Sequence, residues 1–211
     1  MPNVAAQVEC FHSGFQFGWF DRFKHVKVRW VLLASLFTDN EFVPTGNPQC
    51  LQGKIQRRIL QLQIIAGVDA IQIFDSLGGL LPAADFEAAS GQWLRAIVTA
   101  LNGQVPVIVY SKGTREWKSL LKTGAHALGI DHEVDLAVAL QQVPPSMALQ
   151  GNLAPDVLVS ADAAAVTAQT LRLLELMRGR AGYIFNLGHG VPPEAKMENL
   201  QALASAVQNF V

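Results

Sequence analysis

The segment Gly67-Val68-Asp69-Ala70-Ile71-Gln72-Ile73-Phe74-Asp75-Ser76-Leu77-Gly78-Gly79 runs from a glycine through a mostly apolar core to a polar pair and two more glycines. Apolar runs of this length bounded by glycine read as buried strands, here Val68 to Phe74. Before it, Leu51, Ile55, Ile59, Leu62 and Ile65 recur at spacings of three and four, with Lys54, Gln56, Arg57 and Arg58 between them. That spacing predicts an amphipathic helix with those five residues as its apolar stripe, closed by Gly67 as a C-cap. Helix, glycine, strand and polar loop together make one α/β unit.

The same alternation continues downstream. Helices are predicted over Asp85–Leu101, with Phe86, Trp93, Leu94, Ile97 and Leu101 as the buried stripe, and over Glu116–Thr123, Leu136–Gln142, Ala161–Met177 and Glu198–Phe210. Strands are predicted over Val105–Tyr110, Ala125–Ile130, Met147–Gln150 and Tyr183–Phe185. Apolar strands alternating with helices imply a parallel sheet covered by helices, and chemistry in such folds sits at the C-terminal edge of the strands. Ser76, Lys112, Asp131, Asn152 and His189 each follow a predicted strand and are candidates for one rim. His189 stands out, because Asn186-Leu187-Gly188-His189-Gly190 places an imidazole between two residues that have no side chain to block a ligand. No GxGxxG or GxxxxGK[ST] follows any strand, so nothing supports a dinucleotide or P-loop nucleotide site.

The chain has 211 residues, half of them hydrophobic and 16% charged, with a net charge of −1. This suits a globular α/β domain and gives no sign of a nucleic-acid face or a polybasic membrane patch. Cys10 and Cys50 are too few and too far apart for a disulfide scaffold or a CxxC metal site. The apolar run Trp30 to Phe37 is too short to span a bilayer, and the basic residues follow the aromatic run instead of preceding an apolar core. A soluble, cytoplasmic protein is expected. Residues 1–50 are aromatic-rich, with Phe11, Phe15, Phe17, Trp19, Phe20 and Phe23 crowded together, and no element is assigned there; Arg29 to Phe37 fits a strand or a helix turn.

Three strand-end segments, Asp69-Ala70-Ile71-Gln72-Ile73-Phe74-Asp75-Ser76, Ala148-Leu149-Gln150-Gly151-Asn152-Leu153 and Ile184-Phe185-Asn186-Leu187-Gly188-His189-Gly190, resemble the uroporphyrinogen decarboxylase family. Pro106 to Gly113 and Leu128 to Asp131 fall between them in the family's order. The resemblance covers residues 51–211 as a decarboxylase-like (β/α) domain, leaving residues 1–50 as a separate unassigned segment. It implies a TIM-barrel-like (β/α) repeat, here an incomplete barrel containing about the last five βα units. It also implies a homodimer that removes carboxyl groups from the four acetate side chains of uroporphyrinogen to give coproporphyrinogen in porphyrin and heme biosynthesis, without metal or organic cofactor. By resemblance Ser76 and His189 match substrate-binding positions, and Phe74 matches a residue lining the cleft.

The chemistry is compatible with these residue types. A substrate with eight carboxylates asks for donors around the rim; Ser76 offers a hydroxyl, and His189 offers a neutral N–H or, protonated beside carboxylates, a charge-assisted one. In the family's reaction the pyrrole is protonated on carbon and takes up the electrons of the breaking C–COO⁻ bond, so the protein supplies proton transfer and electrostatics. This chain also departs from the family. The Arg-Gln-Ala-Gly-Arg motif that holds substrate carboxylates is missing, Arg22 and Arg29 lie in other contexts, and neither the family's aspartate nor its substrate-binding tyrosine has a counterpart. The catalytic residue is therefore unassigned. Asp131 is no substitute, since it belongs to the later Gly-Ile-Asp segment, where His132 stands in place of the family's usual Trp.

Four alternatives remain open from the residues: a catalytically inactive half-barrel, a related cobalamin-linked methyltransferase, a Ser76–His189–Asp131 hydrolytic triad, and a metal cluster of His126, His132 and Glu133. The methyltransferase needs zinc ligands, but both cysteines lie outside the matching region. The triad lacks a GxSxG turn at Ser76. The three metal candidates have no recognised ligand spacing, so no metal is assigned.

Overall fold

The computed structural model describes residues 32–33, 48–113 and 115–210. Cys10 and the aromatic cluster from Phe11 to Phe23 lie outside the described residues. Six strands form one parallel sheet in sequential order: β1 (Leu32–Leu33), β2 (Ile71–Asp75), β3 (Val107–Ser111), β4 (Ala127–Gly129), β5 (Ala148–Gln150) and β6 (Tyr183–Ile184). Five of these are the strands expected from the sequence. The sixth, Leu32–Leu33, resolves the strand-or-turn reading of Arg29 to Phe37 at those two residues, pairing with Gln72 and Ile73.

The helices are α1 (Pro48–Ile65), α2 (Ala83–Phe86), α3 (Gln92–Leu101), α4 (Trp117–Leu121), α5 (Leu136–Gln142), α6 (Val157–Ser160), α7 (Ala163–Leu176) and α8 (Met197–Gln208). Their starts follow local chemistry where a cap is present. The Asp135 carboxylate accepts the Ala137 N–H at α5, and the Asp162 carboxylate accepts the Ala165 N–H at α7, both at 2.8 Å. The single helix expected over Asp85–Leu101 is interrupted by a π-helical turn at Glu87–Gly91. Hydrophobic spacing does not register such a turn, because the buried positions Phe86, Leu94, Ile97 and Leu101 keep facing the sheet on either side of it.

The strands alternate between two faces. Ile71, Ile73, Val107, Val109, Leu128 and Leu149 face the helices and form the main core with Leu60, Phe86, Leu94 and Leu136. The opposite face carries Gln72, Phe74, Ile108, Tyr110, Ala127, Gly129, Ala148, Gln150 and Ile184, in register across the sheet. Gln150 Nε2 donates to Gln72 Oε1 at 3.2 Å although β2 and β5 are three strands apart. In a flat sheet that separation is about 14 Å. The sheet is therefore curled with this face inside, as the wall of a partial barrel. A second core, including Leu153, Leu158, Val166, Phe185, Leu187 and Leu203, lies under α6, α7 and α8.

One expectation fails in α1. Ile59, Leu62 and Ile65 of the predicted stripe are 41%, 49% and 71% exposed, whereas Leu60 is fully buried and Ile64 packs against the core. The helix also carries Leu60 and Ile64, and packing against α3 and the sheet selects these two instead of the predicted stripe.

Candidate functional site at the strand ends

The C-terminal edge of the sheet is tied together loop by loop. The Lys112 N–H donates to the Asp75 carbonyl at 2.9 Å, and the Gly79 N–H to the Lys112 carbonyl at 2.8 Å. Gly79 is required there, since a Cβ would meet the Lys112 oxygen at 2.6 Å. The Gly113 N–H donates to Asp131 Oδ2 at 3.2 Å. Asn152 Nδ2 donates to the carbonyls of Asp131 at 3.0 Å and Val134 at 2.6 Å, so Asn152 ties loop backbone together, as its position after a strand suggests. The Gly188 N–H donates to the Leu153 carbonyl at 2.9 Å. The loops after β2, β3, β4, β5 and β6 thus form one connected rim.

Ser76 and His189 both stand on this rim with exposed side chains, and Lys112 is exposed between the two loops that flank it. Phe74, half-buried on the inner face of β2, lies 5.7 Å from the Tyr110 ring, centroid to centroid. The inner wall is thus aromatic at Phe74 and Tyr110 and carries the Gln72–Gln150 pair, below a polar edge that offers hydroxyl, ammonium and imidazole groups. Such an arrangement can hold a flat apolar body whose periphery is anionic.

Asp75 behaves differently from its neighbour Ser76. By strand parity it points outward with Ile71 and Ile73, and it is fully buried. Its Oδ2 accepts the hydroxyls of Ser90 at 2.7 Å and Ser111 at 2.8 Å. The π-helical turn presents Ser90 to this carboxylate. Asp75 thus locks β2, β3 and the following helix together behind the rim.

Asp131 is also buried, and on the inner side. Its Oδ1 accepts the Glu133 N–H at 2.9 Å, and its Oδ2 accepts the Gly113 N–H and lies 3.3 Å from the Tyr110 hydroxyl. These contacts orient Asp131 toward Tyr110 and commit both of its carboxylate oxygens. Burial above all, and then the Asp131 charge, raises the Tyr110 pKa far above the ordinary tyrosine value, so its hydroxyl stays a neutral donor. Tyr183 is likewise raised by burial, with its hydroxyl donating to the Gly151 carbonyl.

The histidines proposed together as metal ligands are separated. His126 Nδ1 accepts the Val107 N–H at the opposite, N-terminal end of the strands, while His132 belongs to the rim. Asp131, His132 and Glu133 do bring one ligand atom each within 4.8 Å of one another. Both Asp131 oxygens already accept backbone amides, and Glu133 lies 4.0 Å from Arg115.

Sequence reading overlooked Asp75 as a structural tie and Tyr110 as part of the rim. The polar end of an otherwise apolar strand was the available signal for both, but its direction depends on strand parity and sheet curl. Among the described residues no helix is long and apolar enough to cross a membrane.

A curled parallel sheet with helices outside and a polar C-terminal rim defines a protein of the TIM-barrel-like (β/α) class. Solved structures agree on the fold. A methyltransferase from Methanosarcina mazei matches with a TM-score of 0.67 at 18% identity, covering 77% of this chain and 48% of that one. A dihydropteroate synthase from Xanthomonas albilineans matches with a TM-score of 0.53 at 13% identity, covering 76% and 62%. At these identities the likeness concerns architecture alone. The chain belongs to the uroporphyrinogen decarboxylase (URO-D) family, whose model it matches over residues 52–210. The uroporphyrinogen decarboxylase of Tolumonas auensis is 35% identical over 175 residues, covering 77% of this chain and 49% of that protein. That of Dichelobacter nodosus is 44% identical over 152 residues, covering 72% and 44%. The chain therefore spans about half the length of the curated relatives it matches.

Proposed function

We infer that this chain supplies the later half of a uroporphyrinogen decarboxylase: a carboxy-lyase that converts uroporphyrinogen III to coproporphyrinogen III in porphyrin and heme biosynthesis. The observation that carries this reading is the family match along residues 52–210 in a chain whose strand ends bring Ser76, Lys112 and His189 to one connected rim. In this reading residues 51–211 are the decarboxylase-like domain. Phe74 lines the cleft against the macrocycle, and Ser76 and His189 donate to acetate carboxylates. The pyrrole provides the electron sink, so no cofactor is invoked. A cytoplasmic location and a homodimer belong to the same proposal.

The half-length match, together with the missing arginine motif and aspartate, favours a second reading: a half-barrel that binds tetrapyrroles without turning them over. Loss of preorganised charge stabilisation costs ~10²–10³ in rate even when one donor is removed. Anaerobic incubation of the purified chain with uroporphyrinogen, followed by oxidation and separation of the porphyrins, distinguishes the two. Coproporphyrin formed by the wild type and lost in His189→Ala supports the enzyme. Retained uroporphyrin binding without product supports the half-barrel, and no binding at all removes both.

A further inference from the structure

We propose that Tyr110 is a positioning residue for His189, acting through the backbone carbonyl of Gly188. Tyr110 is the last inner-facing residue before the end of β3, where a phenylalanine would fill the same space. Its hydroxyl reaches past β4 and β5 and donates to the Gly188 carbonyl at 2.9 Å, with Asp131 Oδ2 on its other side at 3.3 Å. The neighbouring strand makes room for this reach. A Cβ at Gly129 would meet the Tyr110 ring and Cβ at 2.9–3.0 Å, so the side chain lies directly over the glycine.

Gly188 is consequently held on three sides. Its N–H is bonded to Leu153, its carbonyl to Tyr110, and its α-carbon abuts the His132 backbone so closely that a Cβ would lie 2.2 Å from the His132 nitrogen. The next two residues have no such restraint: His189 is exposed, and a Cβ on Gly190 would meet nothing within 4 Å. The Tyr110 bond is therefore the last fixed point before the imidazole. Fixing this peptide before a ligand arrives lowers the ordering cost of using His189 as a donor. This role deepens the substrate-binding assignment of His189 and rests on it, whereas the restraint on Gly188 is independent of any ligand.

The experiment uses the full chain, with Tyr110→Phe as the variant and Ser111→Ala as the control. Ser111→Ala removes a hydroxyl at the same strand end that serves Asp75 instead of Gly188. The carbonyl ¹³C resonance of Gly188, which responds to the bond that oxygen accepts, is expected to move upfield in Tyr110→Phe and to stay in place in Ser111→Ala. Binding of uroporphyrin, followed by fluorescence quenching, is then measured for the wild type, Tyr110→Phe, His189→Ala and the double variant. A roughly three- to tenfold weakening by Tyr110→Phe that vanishes when His189 is already alanine is the expected coupling. Equal weakening in both backgrounds, or an unmoved Gly188 carbonyl resonance, overturns the proposal. So does a Tyr110→Phe protein that fails to fold, since the hydroxyl would then support the whole core and not one loop. Failure of wild-type chain to bind uroporphyrin would remove the substrate assignment, and the Gly188 carbonyl resonance would still decide whether Tyr110 restrains this loop.

Discussion

The two glycines flanking His189 are predicted to respond oppositely to the same methyl group. An added Cβ at Gly188 falls 2.2 Å from the His132 nitrogen, 2.5 Å from its Cβ and 2.6 Å from its Cα. Rotation of a side chain cannot relieve contacts with backbone, so one loop must move by about an ångström to restore ordinary contact. Overpacking of this kind costs about 1–3 kcal/mol. The displacement also strains the bonds from Gly188 to Leu153 and from Tyr110 to Gly188, at about 1 kcal/mol each. Gly188→Ala should therefore lose about 3–5 kcal/mol, equivalent to a fall of roughly 6–20 °C in melting temperature for a chain of this size. At Gly190 an added Cβ meets nothing within 4 Å, and Gly190→Ala should stay within about 0.5 kcal/mol of wild type. Thermal and urea unfolding of both variants read this directly. A Gly188→Ala protein as stable as Gly190→Ala would refute the close approach of the β4 and β6 loops on which the rim is built.

In α1, Leu60→Ala should destabilise by about 2–5 kcal/mol and Leu62→Ala by less than about 1, measured by urea unfolding, because Leu60 is fully buried and Leu62 is 49% exposed. Both tyrosines have raised pKa values, chiefly through burial, so absorbance at 295 nm should show no phenolate in the native chain near pH 10, where unfolded tyrosine is half ionised. The sign follows: the folded state keeps protons that the unfolded chain releases, so stability holds below about pH 10 and declines as pH rises above it. Asp75→Ala should cost about 2–4 kcal/mol by thermal unfolding, because it removes the carboxylate that accepts both the Ser90 and Ser111 hydroxyls; Asp75→Asn, which keeps an acceptor, should recover most of that loss.

Much of this architecture was legible in the sequence because the strands are buried on both faces. Apolar runs such as Val107 to Val109, and Gly67, Gly103, Gly124 and Gly179 after four of the helices, mark the βα units without knowledge of the partners they pack against. The positions of Ser76 and His189 at strand ends follow from the same pattern. What periodicity does not encode is which of its apolar residues a helix buries, and α1 buries Leu60 where the predicted stripe was expected. Nor does it encode direction at a strand end. Asp75 and Ser76 are adjacent, yet one is sealed behind the sheet and the other stands on the rim, a difference set by parity and curl. The Tyr110–Gly188 bond joins residues far apart in sequence and exists only because the sheet is curved.

The most direct test is a titration of isotope-labelled chain with uroporphyrin, followed residue by residue through amide chemical shifts. Ser76 and His189 should shift together, over the same range of ligand concentration, while Gly103, Gly124 and Gly179 at the other end of the strands remain still. Shifts confined to those three glycines, or a change at Ser76 without one at His189, would contradict a shared tetrapyrrole-binding rim.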